Sequence, residues 1–166
     1  MSVSRPPIVT VIGAAVCTPA QSEVAEIVGR LLAEAGAILV CGGRGGVMEA
    51  ACSGATEVGG FTIGILPGID PQKGNPYLTV VIPTGLGHAR NSLVVQAGQA
   101  IIAIGGGYGT LSEIGMALKI GRRVIGLGTW QATNADGQPI GLIEVRTPEE
   151  AVDLALEVCS NEDYVG

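Results

Sequence analysis

Gly105, Gly106, Gly107 and Gly109 crowd four glycines into five positions, directly after the apolar run Ile101-Ile102-Ala103-Ile104 and directly before the segment TLSEIGMALKIG. The apolar run has no alternation, which suits a strand buried on both faces of a parallel sheet. A parallel pair needs a long crossover, so a strand of this kind commits its neighbours to an alternating strand and helix pattern. Residues 100–121 therefore read as strand, glycine turn and helix. Glycines in such a turn permit positive φ and let a ligand approach the backbone. The free N–H groups and the positive end of the following helix point at the same place. That combination favours an anion, most often a phosphate.

Two common phosphate motifs do not describe the turn. There is no Gly-Lys-Ser/Thr, and a G-x-G-x-x-G starting at Gly105 would need glycine where Thr110 stands. Thr110 and Glu113, three apart at a helix start, also match a capping box. Capping explains those two residues but not the four glycines, so binding and capping both stay open for Thr110 and Glu113.

The rest of the chain repeats the pattern. Residues 8–13 form a short apolar run, and Thr18-Pro19-Ala20-Gln21 offers a capping box with proline at the first helical position. Val24, Ile27, Val28, Leu31, Leu32 and Ala35 then give one apolar helical face, which Gly36 is placed to end. Residues 37–40 read as a second strand. Gly42, Gly43, Arg44, Gly45 and Gly46 form a second glycine turn before a helix over 47–58. Arg44 there is either a phosphate contact or an exposed turn residue, and Glu49 in the helix's first turn complements its dipole.

Residues 61–66 predict a third strand, followed by a long irregular loop in which Lys73 and Tyr77 are possible ligand contacts. A fourth strand is expected over 78–83. The loop 84–91, with Gly87, His88, Arg90 and Asn91, leads into a helix through Ala97. An arginine near a helix N-terminus opposes the dipole, so Arg90 calls for an anionic ligand or a carboxylate partner. His88 reads as a surface loop residue. A strand over 123–127, an irregular stretch over 128–139 and a helix opening at Thr147-Pro148-Glu149-Glu150 complete the chain.

These elements predict one doubly wound α/β domain over residues 1–166, Rossmann-like, with a mainly parallel sheet flanked by helices. Ligands in such sheets bind beyond the carboxyl ends of the strands, where the turns at 42–46, 85–87 and 105–109 converge. Charged residues are 14% of the chain, where an average soluble protein has about 25%. No apolar run nears the ~20 residues of a membrane span, so the missing polarity points to a buried subunit interface, a homodimer or homotetramer. A net charge of −6 argues against a nucleic-acid partner but not against small anions held by local geometry. Cys17, Cys41, Cys52 and Cys159 form no C-x-x-C pair and His88 is the sole histidine, so no metal site is expected and the cysteines read as small core residues. The opening MSVSRPPIVTVIG lacks a signal-peptide pattern, so a cytoplasmic protein is expected.

GGGYGTLSE at 105–113 resembles the PGGxGTxxE motif of the LOG and lysine decarboxylase-like superfamily, which includes cytokinin-nucleotide phosphoribohydrolases and molybdenum-cofactor carrier proteins. CGGRGGVMEAA at 41–51 resembles that family's first glycine loop, GILPG at 64–68 its central strand end, and GLGHARN at 85–91 the segment supplying its functional arginine. The resemblance covers most of residues 8–130. It implies a ligand-binding set of Gly42, Gly43, Arg44, Gly45, Gly46, Gly87, Arg90, Asn91, Gly105, Gly106, Gly107, Tyr108, Gly109, Thr110 and Glu113.

In the hydrolase branch the arginine and glutamate corresponding to Arg90 and Glu113 act on a nucleoside 5′-monophosphate, releasing the base from ribose 5-phosphate. Here Gly105 stands where that branch has proline, and Asn91 where it commonly has lysine. GILPGID, TGLGHARN and ALKIGRRVIGLGT are closer to the carrier branch. That likeness implies a non-catalytic carrier of the molybdenum cofactor (molybdopterin), a pterin bearing a phosphate, with cofactor-accepting molybdoenzymes as partners. A nucleoside 5′-monophosphate phosphoribohydrolase is the alternative.

Overall fold

The computed structural model describes residues 5–161; residues 1–4 of the opening stretch and 162–166 of the expected domain lie outside the described residues. Within it runs an all-parallel seven-stranded sheet in the order β4-β3-β2-β1-β5-β6-β7. The strands are β1 (Ile8–Gly13), β2 (Ile38–Cys41), β3 (Phe61–Leu66), β4 (Val80–Pro83), β5 (Ala100–Ile104), β6 (Arg123–Leu127) and β7 (Ile143–Val145). Between and after them come α1 (Pro19–Glu34), α2 (Val47–Glu57), α3 (Asn91–Ala97), α4 (Tyr108–Lys119) and α5 (Pro148–Asn161). This is the doubly wound Rossmann-like architecture that the sequence predicts, with the sheet wholly parallel.

The central strand β5 shows why its sequence has no alternation. Ala100, Ile102 and Ile104 enter the core beneath α1, α2 and α5, while Ile101 and Ala103 enter the core beneath α3 and α4. Every residue of β5 is buried. Each fully buried isoleucine contributes about 1.5–3 kcal/mol relative to exposure, so this strand anchors both layers.

The first crossover forms as its residues specify. Thr18 Oγ1 accepts the Gln21 N–H at 3.2 Å, and Gln21 Oε1 accepts the Thr18 N–H at 3.0 Å. This capping box closes both ways, and α1 stops at Gly36, whose φ of +75° glycine adopts without strain. α1 and α2 then cross at backbone distance. A methyl group on Gly29 would overlap the Ala51 carbonyl oxygen, and one on Gly54 the Glu26 carbonyl oxygen.

β7 has no counterpart in the sequence reading. It is three residues long, Ile143-Glu144-Val145, and lies at the sheet edge in parallel pairing with β6. The irregular stretch before it contains an isolated antiparallel bridge between Thr133 and Pro139. β4 begins at Val80, two residues later than expected, because Leu78 turns inward against Gly64. Among the described residues, no helix is long and apolar enough to cross a membrane.

Candidate functional site

The sheet order reverses between β1 and β5, whose outgoing connections run to opposite sides of the sheet. A crevice must open beyond the carboxyl ends of these two strands. A cavity of about 390 Å³ lies there, lined from β1 by Gly13, Ala14 and Ala15, and from the β2 side by Arg44 and Met48. Pro67, Gly87, His88, Arg90 and Asn91 contribute from the β3 and β4 loops, and Gly107, Gly109, Thr110 and Glu113 from the turn after β5.

Arg90 is the central group. It ends a short 3₁₀ turn, Gly87–Arg90, that feeds directly into α3, and it is only 7% exposed. A guanidinium carries five N–H donors, yet among the described residues Arg90 makes one hydrogen bond, from Nη1 to Asn91 Oδ1 at 2.8 Å. Its buried Nε has no acceptor among the described residues. Glu113 Oε1 lies 3.9 Å from Nη1, an ion pair too long to be a hydrogen bond. Gly42 makes this placement possible, since a Cβ there would stand 2.8 Å from Arg90 Nη1 and 3.0 Å from Nη2.

Glu113 is also 7% exposed. Burial pushes its carboxyl up to about 7, and the Arg90 charge opposes the shift without cancelling it. The capping-box reading of Thr110 and Glu113 does not hold. α4 is capped by Gly107 without a side-chain bond and starts at Tyr108, so both residues sit inside the helix with buried side chains. The tight glycine turn moves the helix start upstream of Thr110.

The first glycine turn is braced rather than open. Gly46, at φ +62°, packs so closely on the β1 turn that a Cβ would overlap Ala14 O, and the Val47 N–H donates to that same oxygen at 3.1 Å. Asn75, buried in the long loop, donates its N–H to Gly43 O at 2.9 Å and its Nδ2 to Arg44 O at 3.1 Å. Asn75 thereby fixes the backbone from which Arg44 reaches the cavity.

Below this turn Cys41 and Cys52 are buried with sulfurs 3.6 Å apart. The bond with Cys52 and the Gly43 N–H lower the Cys41 thiol against its burial, while Cys52 is raised by its bond with Cys41 and by burial. Cys17 and Cys159 are half-buried.

The expected site residues therefore separate. Arg44, Gly87, Arg90, Asn91, Gly107, Gly109, Thr110 and Glu113 share the cavity. Gly42, Gly43, Gly45 and Gly46 form its supporting backbone, and Gly105, Gly106 and Tyr108 face elsewhere. His88 is exposed but lines the cavity, and Lys73 lines a smaller basin beside Arg44. Sequence reasoning did not reach Ala14, Ala15, Met48, Pro67 or Asn75. The first two were accessible from topology, since β1 flanks the crossover reversal.

The SLOG cluster4 family model matches residues 6–152. An uncharacterized protein of Archaeoglobus fulgidus is 43% identical over 150 residues, 88% of this chain and 92% of that protein. Among solved structures, the molybdenum cofactor binding protein from the phototrophic bacterium Rippkaea orientalis aligns with a TM-score of 0.84 at 34% identity, over 94% of this chain and 99% of that one. The molybdenum cofactor carrier protein from Chlamydomonas reinhardtii gives 0.80 at 30%, over 95% of this chain and 100% of that one. A probable cytokinin riboside 5′-monophosphate phosphoribohydrolase of Oryza sativa subsp. japonica is 30% identical over 140 residues, 82% of this chain. The chain spans about half the length of the phosphoribohydrolases it matches, 53% of the rice protein and 48% of one from Rhodococcoides fascians.

Proposed function

Because the chain belongs to the SLOG cluster4 family, we propose that it is a cytoplasmic binding protein for a phosphate-bearing cofactor, the molybdenum cofactor, which it carries without turning it over. The observation that carries this reading is Arg90: a buried guanidinium whose donors the protein leaves largely unused, facing a cavity. A phosphate monoester is the matching acceptor, because several charge-assisted N–H bonds converge on one group. Arg44 supplies a second cation from the braced turn. Gly107 and Gly109 bring the N-terminal N–H groups of α4 to the same cavity without intervening side chains.

Asn91 supports the carrier over the hydrolase. It accepts from Arg90 and fixes its plane, which a lysine at this position has no acceptor to do. The phosphoribohydrolase reading rests on Glu113. A carboxyl titrating at about 7 beside an arginine is suited to general acid–base work or to stabilising an oxocarbenium-like centre.

The two readings separate in one preparation. Adenosine 5′-monophosphate should remain intact over hours with stoichiometric protein, and a mass spectrum of the copurifying small molecule should show a molybdopterin. Loaded protein should reactivate a cofactor-free molybdoenzyme. Steady release of free base with many turnovers per site would reverse the assignment.

The same reading includes a homodimer, or a homotetramer built from dimers. Val80 and Ile82 on the β4 edge and Leu86 just after it are exposed, and charged residues are scarce. Light scattering at micromolar concentration should give at least twice the 16.7 kDa chain mass. A monomer would remove this part of the proposal.

A further inference from the structure

The glycine turn after β5 is a ridge between two basins. Gly107 and Gly109 face the main cavity, whereas Gly105 and Gly106 face a second basin of about 380 Å³. Gly106 and Gly107 are consecutive, so the two basins lie one residue apart across the ridge. The second basin's other walls are Gly128, Thr129, Trp130, Gln131 and the side chain of Gln21.

This basin holds the chain's single tryptophan in a fixed position. Trp130 Nε1 donates to Gly107 O at 3.0 Å, and the Tyr108 ring packs against the indole with centroids 5.7 Å apart and planes tilted by 34°. Tyr108 itself is 82% exposed and stands at the rim, while the indole is half-buried with one part against the core. Thr129 Oγ1 donates to Gly105 O at 2.6 Å, tying the strand end that carries the indole to the glycine ridge. Aromatic residues make up only 3% of the chain, and two of the five meet here.

The polar groups at the basin are poised for a ligand edge. Gln21 Oε1 is committed to the Thr18 N–H in the α1 capping box, which orients Nε2 toward Gly105 with no acceptor among the described residues. Gln131 Nε2 is committed to Glu144, and its amide oxygen accepts no hydrogen bond among the described residues. An immobilised aromatic face, a side-chain-free glycine wall, one free amide donor and one free amide acceptor match a flat heterocycle with donors and acceptors on its edge. They match a phosphate or a sugar poorly, because no cation lines this basin.

We propose that the basin formed by Trp130, Gln21 and the Gly105-Gly106 ridge seats the planar heterocycle of a ligand whose phosphate is held at Arg90. This deepens, and rests on, the reading of the main cavity as a phosphate site. It assigns Gly105 and Gly106, which do not reach the main cavity, to the ring end of the same ligand.

The test compares a ring-bearing with a ring-free phosphate by titration calorimetry: neopterin monophosphate and ribose 5-phosphate. Trp130→Leu should weaken the pterin phosphate about tenfold, the scale of a single base–aromatic stack, and leave ribose 5-phosphate unchanged. Trp130→Phe, which keeps a ring, should retain most of the pterin affinity. In a nitrogen–proton correlation spectrum, the single indole N–H signal should shift on adding the pterin phosphate and stay in place with ribose 5-phosphate. Equal pterin affinity in wild type and Trp130→Leu, with both phosphates still weakened by Arg90→Ala, overturns this inference and leaves the phosphate site standing. If wild-type protein binds neither ligand, both the inference and the reading beneath it fall.

Discussion

Arg90→Ala should weaken binding of a phosphate monoester by about 1.5–3 kcal/mol, a loss of ten- to somewhat over a hundredfold, while the melting temperature moves little. The loss is large because the guanidinium is buried, pre-aimed by Asn91 Oδ1 and packed against Gly42, so little side-chain entropy remains to be given up on binding. The small stability change has its own reason. Arg90 makes one hydrogen bond and a 3.9 Å ion pair, and burial penalises its charge. Removing a poorly compensated buried cation relieves a desolvation cost comparable to what that hydrogen bond and ion pair contribute. Arg90→Lys should fall between, since it keeps the charge but not the fork. Isothermal titration with ribose 5-phosphate measures all three proteins, and undiminished affinity in Arg90→Ala with the fold intact would remove Arg90 from the site.

The fold was legible in this sequence wherever a local rule and the tertiary structure agree. β5 is an unalternating apolar run because both of its faces are covered. α1 opens with a reciprocal capping box and closes on a glycine at positive φ because both ends are determined within a few residues. β7 was not legible, since three residues carry too little pattern. The start of α4 misled for a related reason. A Thr and a Glu three apart satisfy a capping box, and they equally satisfy two positions on one helical face; only the backbone at Gly107 distinguishes them.

The site was legible as residue types but not as an assembly. Glycine turns after parallel strands locate the edge where Arg44, Arg90, Thr110 and Glu113 meet. Nothing in the sequence shows that Asn75, from a loop without regular pattern, holds the Arg44 backbone. Nor does it show that Gly42 serves as the bed for Arg90 rather than as part of a phosphate cradle. Both roles depend on contacts between segments tens of residues apart, where neither periodicity nor motif spacing carries information.

Glu113→Gln should change how stability and ligand affinity depend on pH, and the sign follows from burial. Burial raises the Glu113 carboxyl in the folded protein to about 7, from an ordinary value of 4.5, so between those values the folded state holds a proton that the unfolded chain has released. Its contribution to stability is therefore fully present below about 4.5 and is lost as pH rises through about 7, an effect on the order of 3 kcal/mol. Glutamine, which cannot ionise, should match the wild type near pH 4.5 and exceed it in stability by pH 8. Ligand affinity should follow the same group, because a carboxylate ionising beside the Arg90 cavity repels an incoming phosphate. Wild-type affinity should thus decline through pH 7, whereas Glu113→Gln should retain only the dependence of the phosphate itself, whose second pKa is about 6. Thermal melts and titrations of both proteins from pH 5 to pH 8 separate the two contributions by difference. A wild-type-minus-variant difference that stays flat across that range, in stability and in affinity alike, would mean that Glu113 is ionised throughout and that its carboxyl does not face the bound anion.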